Sequence, residues 1–172
     1  MYLYDVYFYG GSIMSFGSGD KHKIYRAGVI PYYNDNGTIR MLFMKPSNSK
    51  FGGDINPETG EMEMRYQLAK GRIEKNENAQ EAALREGEEE VGLKLENIMF
   101  VLHVGTFLGR TEVYIAKIID PANFGEHHYE TESTCWMSLE EFEQSGRVLH
   151  RDLVRQSHFL IEMTEENLGA SF

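Results

Sequence analysis

A mixed α/β fold, one sheet with helices on both faces, is what the order of elements along this chain predicts. Three observations carry it. Segments in which apolar and polar residues alternate with the period of a strand lie on both sides of residues 78–92. Residues 78–92 themselves read as a capped helix, and residues 150–163 as a second, amphipathic one. Strands before and after a central helix, followed by a terminal helix, bury their apolar faces best as a sheet packed on both sides.

Taken in order, residues 2–9 alternate and are rich in aromatics, so they read as a strand, and the Gly- and Ser-rich residues 10–20 read as a flexible connection. That connection lacks the Gly-Lys-Ser/Thr ending of a phosphate-binding loop. Residues 24–33 and 38–45 form the clearest hairpin, joined through Asn36-Gly37, two residues that tolerate positive φ. Residues 46–63 carry Gly52, Gly53, Pro57 and Gly60 and make a long loop, read as a flap near a substrate or as an exposed insertion. Residues 64–68 read as a short strand delivering Lys70 and Gly71. Asn78 and Glu81 have the spacing of a capping box, and Gly92 sits where a helix ends in a left-handed residue. Residues 98–104, 112–119 and 129–137 read as strands; period two puts Glu130, Glu132 and Trp136 of the last on one side. Ser138 and Glu141 form a second capping box, for a short helix stopping at Gly146, and residues 150–163 follow with apolar Leu153, Val154, Leu160 and Ile161. The tail from Thr164 has little pattern. With no internal repeat or compositional break, residues 1–172 are expected to form a single domain, residues 1–23 being an N-terminal extension.

Composition narrows the class. A formal net charge of −10 argues against general binding to nucleic acid or to an anionic membrane. Cys135 is the sole cysteine, so no intrachain disulfide forms; the thiol is expected to be a buried structural one, and a reducing, cytoplasmic location fits. No basic start with an apolar core marks a leader at residues 1–11, and no apolar run approaches the ~20 residues a membrane span needs. The chain is therefore expected to be soluble, with no membrane partner.

The chemistry concentrates in the acidic helix. Glu86, Glu89 and Glu90 share one face at 3.6 residues per turn, where they repel one another by a few tenths of a kcal/mol per pair. A hard cation relieves that crowding, and an all-oxygen donor set with neither Cys nor His points to Mg²⁺ or Mn²⁺ rather than zinc. The spacing is more specific: Gly71, five residues, Glu77, seven residues, Arg85-Glu86, two residues, Glu89-Glu90, one residue, Gly92, then apolar Leu93. In this it resembles the signature of the Nudix hydrolases, enzymes that cleave a nucleoside diphosphate linked to another group. A charge run is more often a solvated helix face, but not with so many fixed positions in order. One position departs: Gly87 stands where the family usually has an apolar residue, at a cost of roughly 1 kcal/mol in helix propensity.

The resemblance implies an α/β/α sandwich, covering most of residues 24–163. It also implies that Glu89 and Glu90 ligate metal with the backbone carbonyl of Lys70, and that Glu86 holds metal or helps activate water. Arg85, four residues before Glu89, is expected to fix carboxylate geometry through a bidentate pair, with Glu77 as partner, and Gly71 to let the loop backbone pass close to the helix. The Lys70 ammonium either contacts a phosphate or is an exposed loop charge. Several branches of the family use an additional Glu as ligand or base; Glu130 and Glu132 are the candidates. His127 and His128 read as a polar loop pair, His103 as a satisfied core histidine, and Tyr32, Tyr33, Phe43, Phe51 and Tyr66 as core aromatics of which one could stack on a base.

For substrate, residues 68–74 are similar to the form found in dinucleoside polyphosphate hydrolases, with Ala69 replacing the usual proline. The expected function is Mg²⁺-dependent hydrolysis of a small nucleotide of that kind; ADP-ribose and dinucleotide cofactors stay open. An RNA 5′-end pyrophosphohydrolase and a non-catalytic nucleotide sensor are the alternatives, the second disfavoured by three intact carboxylates. The attached group and the oligomeric state are not legible.

Overall fold

The computed structural model describes residues 24–48 and 52–170. The strand and connection expected at residues 2–9 and 10–20, with the rest of the 1–23 extension and Phe51, lie outside the described residues. The chain runs β1 (Arg26–Asp35), β2 (Thr38–Pro46), β3 (Asp54–Ile55), β4 (Met62–Glu63), β5 (Ala69–Arg72), α1 (Ala79–Val91), β6 (Ile98–Phe107), β7 (Thr111–Ile118), β8 (Thr131–Met137), α2 (Leu139–Ser145) and α3 (Arg151–Gly169). The main sheet has the order β6-β7-β1-β2-β8, with β5 also paired to β1. β1 and β7 are parallel and the other pairs antiparallel, so the sheet is mixed.

β1 is buried from Ala27 to Tyr32 on both sides. Its near-continuous apolar run reflects that double burial. Ala27 and Val29 pack with Leu42, Ala69, Ala82, Ala83 and Leu93 beneath α1. Ile30 and Tyr32 face the other way, into a layer of Phe43, Leu68, Ile115, Phe142, Leu153 and Ile161 beneath α2 and α3. The β1–β2 hairpin turns at Asn36 and Gly37, both with positive φ (51° and 99°), and the Asn34 side chain accepts from the Gly37 N–H.

Four expectations shift. Residues 46–63 are not without secondary structure: β3 and β4 pair, and the Asn56 side chain caps the turn between them by accepting from Glu58 N–H. The strand expected at 64–68 lies later, at Ala69–Arg72, because Gly28, Ala27 and Arg26 of β1 pair with Lys70, Gly71 and Arg72. The last helix runs past Thr164 to Gly169, its polar end held to the sheet by both Glu165 oxygens on the Lys117 ammonium at 2.6 and 2.8 Å. The fourth is in β8. Lys45 pairs with Ser133 while Pro46 pairs with Thr131, so Glu132 is the extra residue of a β-bulge. Period two breaks there, and Glu132 leaves the face of Trp136.

Candidate active site

Helix α1 is fixed at both ends. Asn78 and Glu81 cap each other's backbone at its start, and Gly92 ends it with φ 72°. A side chain at Gly92 would also meet the Gly125 carbonyl at 2.1 Å, so the 120–130 loop packs directly on the helix end. That loop takes up the last carbonyls of the helix. His128 N–H donates to Glu89 O at 2.8 Å and the Thr131 hydroxyl donates to Glu90 O at 2.9 Å. Glu130 is thereby held near the Glu90 carboxyl, close enough to repel it.

Arg85 ties the preceding loop to the helix. It donates to both Glu77 oxygens, at 3.1 and 2.8 Å, to the Arg72 carbonyl at 2.9 Å, to Glu86 at 2.9 Å and to Glu89 at 3.4 Å. The bidentate partner is Glu77, whose second role is to accept from the Glu74 N–H at 2.7 Å. The pair holds Arg85 more firmly protonated and Glu77 more firmly ionised than usual.

Glu86 and Glu90 feel the opposite pressure. Burial raises the Glu86 carboxyl. Burial, with added repulsion from Glu86 and Glu130, pushes Glu90 up to about 8, although the Lys70 N–H donates to it at 2.8 Å. A Cβ on Gly71 would lie 2.0 Å from Glu86 Oε1, so glycine is what leaves room for that carboxylate. Gly87 has a comparable reason: a Cβ there would meet Val29 at 2.7 Å and Leu93 at 2.9 Å. Its missing side chain lets α1 lie close on β1, which accounts for the departure from the signature.

Among the described residues no three Asp, Glu, His or Cys side chains are gathered as a ready-made ion cage. The donors nonetheless suit a hard cation. They are all oxygens, and two of them, buried Glu86 and partly buried Glu90, are acids whose ionised form lacks a full counter-charge. A bound divalent ion would supply that charge.

The other candidates separate. Glu132 pairs with Lys45 at 3.6 Å and lines a cavity with Arg65, Tyr66 and Gln144, away from Glu130. The Lys70 backbone faces Glu90, but its side chain alternates onto the α3 side of the sheet. There it lines a cavity of about 300 Å³ with Arg26, Arg110, Arg147 and His150. None of those four was singled out for a site from sequence, because they come from β1, the β6–β7 turn and the α2–α3 junction and share no local spacing. His103 is not a core residue: it is half exposed on β6 and pairs with Glu112. His127 is exposed in its loop, with its ring against the His128 carbonyl. Tyr32 and Phe43 are fully buried, Tyr33 packs edge-on to Trp136, and Cys135 is only partly buried. No helix among the described residues is long and apolar enough to cross a membrane.

A model of the NUDIX domain matches residues 22–157. No curated protein matches the chain. Among solved structures, a C. elegans Ap4A hydrolase in a binary complex is 21% identical with a TM-score of 0.57, covering 81% of this chain and 98% of that one. The NUDIX domain of Shewanella oneidensis NrtR, complexed with ADP ribose, is 16% identical with a TM-score of 0.59, covering 83% and 90%. RenU, a Nudix hydrolase from M. smegmatis, is 15% identical with a TM-score of 0.57, covering 81% and 88%. At these identities the likeness is one of fold.

Proposed function

Because the chain belongs to the Nudix family of hydrolases, we propose that it cleaves a pyrophosphate linkage in a small nucleoside diphosphate derivative, preferably a dinucleoside polyphosphate. The observation that carries this reading is the acidic face of α1: Glu86, buried, and Glu90, partly buried, are kept under-compensated beside Glu89, while Arg85 is locked to Glu77. Such an arrangement has a use when a divalent cation and a polyanionic substrate meet there. It has none as a solvated helix face.

The roles follow from the contacts. Glu86, Glu89, Glu90 and the Lys70 carbonyl would hold Mg²⁺ or Mn²⁺, which when bound would neutralise phosphate charge and acidify a coordinated water. Arg85 orients Glu86 and Glu89 through its hydrogen bonds, and Glu77 orients Arg85. Gly71 keeps space for Glu86. Glu130, close to Glu90, accepts the proton of the attacking water in preference to Glu132, which faces Lys45. Lys70 meets a substrate phosphate from the side of the sheet opposite α1.

A dinucleoside polyphosphate is favoured by the run Leu68-Ala69-Lys70-Gly71-Arg72-Ile73-Glu74 and by the net charge of −10, which offers little attraction to a long polyanion. The fold likenesses to an Ap4A hydrolase and to an ADP-ribose-bound domain are in keeping with a small nucleotide. A single-domain cytoplasmic enzyme is the setting that these features support. The test is incubation with a panel of nucleotides and Mg²⁺, products resolved by chromatography, beside a short 5′-triphosphorylated RNA. Cleavage of a small dinucleotide is expected. A hundredfold higher kcat/KM on the RNA, about 2.7 kcal/mol in the transition state, would make the protein an RNA 5′-end hydrolase. Tight binding without any cleavage would make it a sensor.

A further inference from the structure

Among the described residues, the cavity on the α3 side of the sheet is lined by four cations, Arg26, Lys70, Arg110 and Arg147, and by no carboxylate. Each comes from a different part of the chain: the start of β1, the middle of β5, the β6–β7 turn and the α2–α3 junction. Their compensation among the described residues is slight. Arg110 lies over the Tyr25 ring at 4.5 Å, and Arg147 reaches Gln67 at 3.4 Å while its buried Nε has no partner among the described residues. Four like charges around one opening repel one another, and partial burial strengthens the repulsion.

At the wall of this cavity sits His150. It is fully buried, and neither ring nitrogen has a hydrogen-bond partner among the described residues. A buried polar group without a partner is costly, so native folds seldom leave one unless something arrives to meet it. Burial and the nearby Lys70 and Arg147 hold the imidazole neutral, which leaves it one N–H to donate.

A nucleobase would not use this set, since it brings no negative charge to four cations. A phosphate group uses all of it: three or four oxygens to accept from guanidinium, ammonium and imidazole, and a charge that reverses the repulsion. We propose that this cavity is an anion subsite, in which Arg26, Lys70, Arg110, Arg147 and His150 bind a phosphate group on the face of the sheet opposite the acidic helix. Assigning that phosphate to the substrate, as one remote from the cleaved linkage, rests on the hydrolase reading. The affinity of the cavity for phosphate does not.

Calorimetric titration of the full chain with pyrophosphate, in chelator to keep divalent metal from the α1 carboxylates, separates the two. Wild-type protein is expected to bind, more weakly as NaCl rises. Arg26→Gln and Arg110→Gln, both at exposed side chains, are each expected to weaken binding about tenfold, one strong charge-assisted contact. His150→Phe, which keeps the buried ring, should weaken it as well. Glu89→Gln should bind as wild type does. Absence of binding by the wild type overturns the proposal, and so does unchanged affinity in Arg26→Gln and Arg110→Gln with melting temperatures intact. If no nucleotide is cleaved but pyrophosphate binding depends on Arg26, the subsite stands and the hydrolase reading falls. Normal cleavage with Arg26-independent binding gives the reverse.

Discussion

Replacing Glu90 by Gln tests how the acidic helix is held. Folding raises this carboxyl from 4.5 to about 8, chiefly by burial. The folded state therefore holds the proton more tightly than the unfolded chain. The stabilisation is present in full below about pH 4.5 and is lost as pH climbs through about 8. The upper limit of the loss is ~5 kcal/mol, from 1.36 kcal/mol per unit; water entry and side-chain relaxation reduce it to roughly 1–3 kcal/mol. For a chain of this size that is about 2–10 °C in Tm. In Glu90→Gln the amide oxygen still accepts from the Lys70 N–H, and the titrating charge is gone. The assay is thermal melting in chelator from pH 5 to pH 8.5. Wild type should lose stability across that window, and Glu90→Gln should lose much less. Added Mg²⁺ should restore wild type at pH 8.5 and stabilise the variant much less, since it keeps only Glu86, Glu89 and the Lys70 carbonyl as donors. Parallel pH profiles for the two proteins would refute the claim that Glu90 is desolvated and under-compensated.

Further outcomes follow from the same contacts. Glu89→Gln should keep the fold and lower turnover by roughly 10²–10⁴, measured as kcat at saturating nucleotide and near half-saturating Mg²⁺. Glu130→Gln should reduce kcat more than it changes KM, whereas Glu132→Gln should stay near wild type because its carboxylate faces Lys45. Gly71→Ala should displace Glu86, whose oxygen lies 2.0 Å from the added methyl; an activity loss of roughly 10²-fold is expected for such misplacement, with circular dichroism preserved. Gly87→Ala gains ~1 kcal/mol of helix propensity but forces α1 off Val29, at a cost of about 1–3 kcal/mol. Melting should show net destabilisation, with Val29→Ala in the same chain recovering part of it.

The sequence announced what local chemistry decides. Both capping boxes, the Asn36-Gly37 turn and the glycine end of α1 depend on residues within four positions of one another, and all are present in the structure. The shared face of Glu86, Glu89 and Glu90 needs only helical periodicity. What stayed hidden depends on distant partners. Glu132 leaves its face because β2 and β8 pair out of step at Pro46, and no pattern within residues 129–137 records that. Strand β5 contains a glycine and looks like a strand's end until β1 pairs with it. The end of α3 is polar and gains its hold from Lys117, nearly fifty residues earlier. The basic cavity gathers one residue from each of several segments, so no spacing could reveal it.

Strand β5 has four residues and, among the described strands, pairs with β1 alone. Its Lys70 presents a peptide N–H to Glu90 on one side of the sheet and an ammonium to the cationic cavity on the other. A single residue thus has one end in each of two oppositely charged compartments. Any occupant of either compartment that prefers one setting of Lys70 must bias the other, and thermodynamic linkage makes the bias mutual. If divalent metal tightens anion binding by some factor, the anion must tighten metal binding by the same factor. Two titrations run in opposite order would then return one coupling constant, and Lys70 is the lever whose shortening should bring that constant to unity.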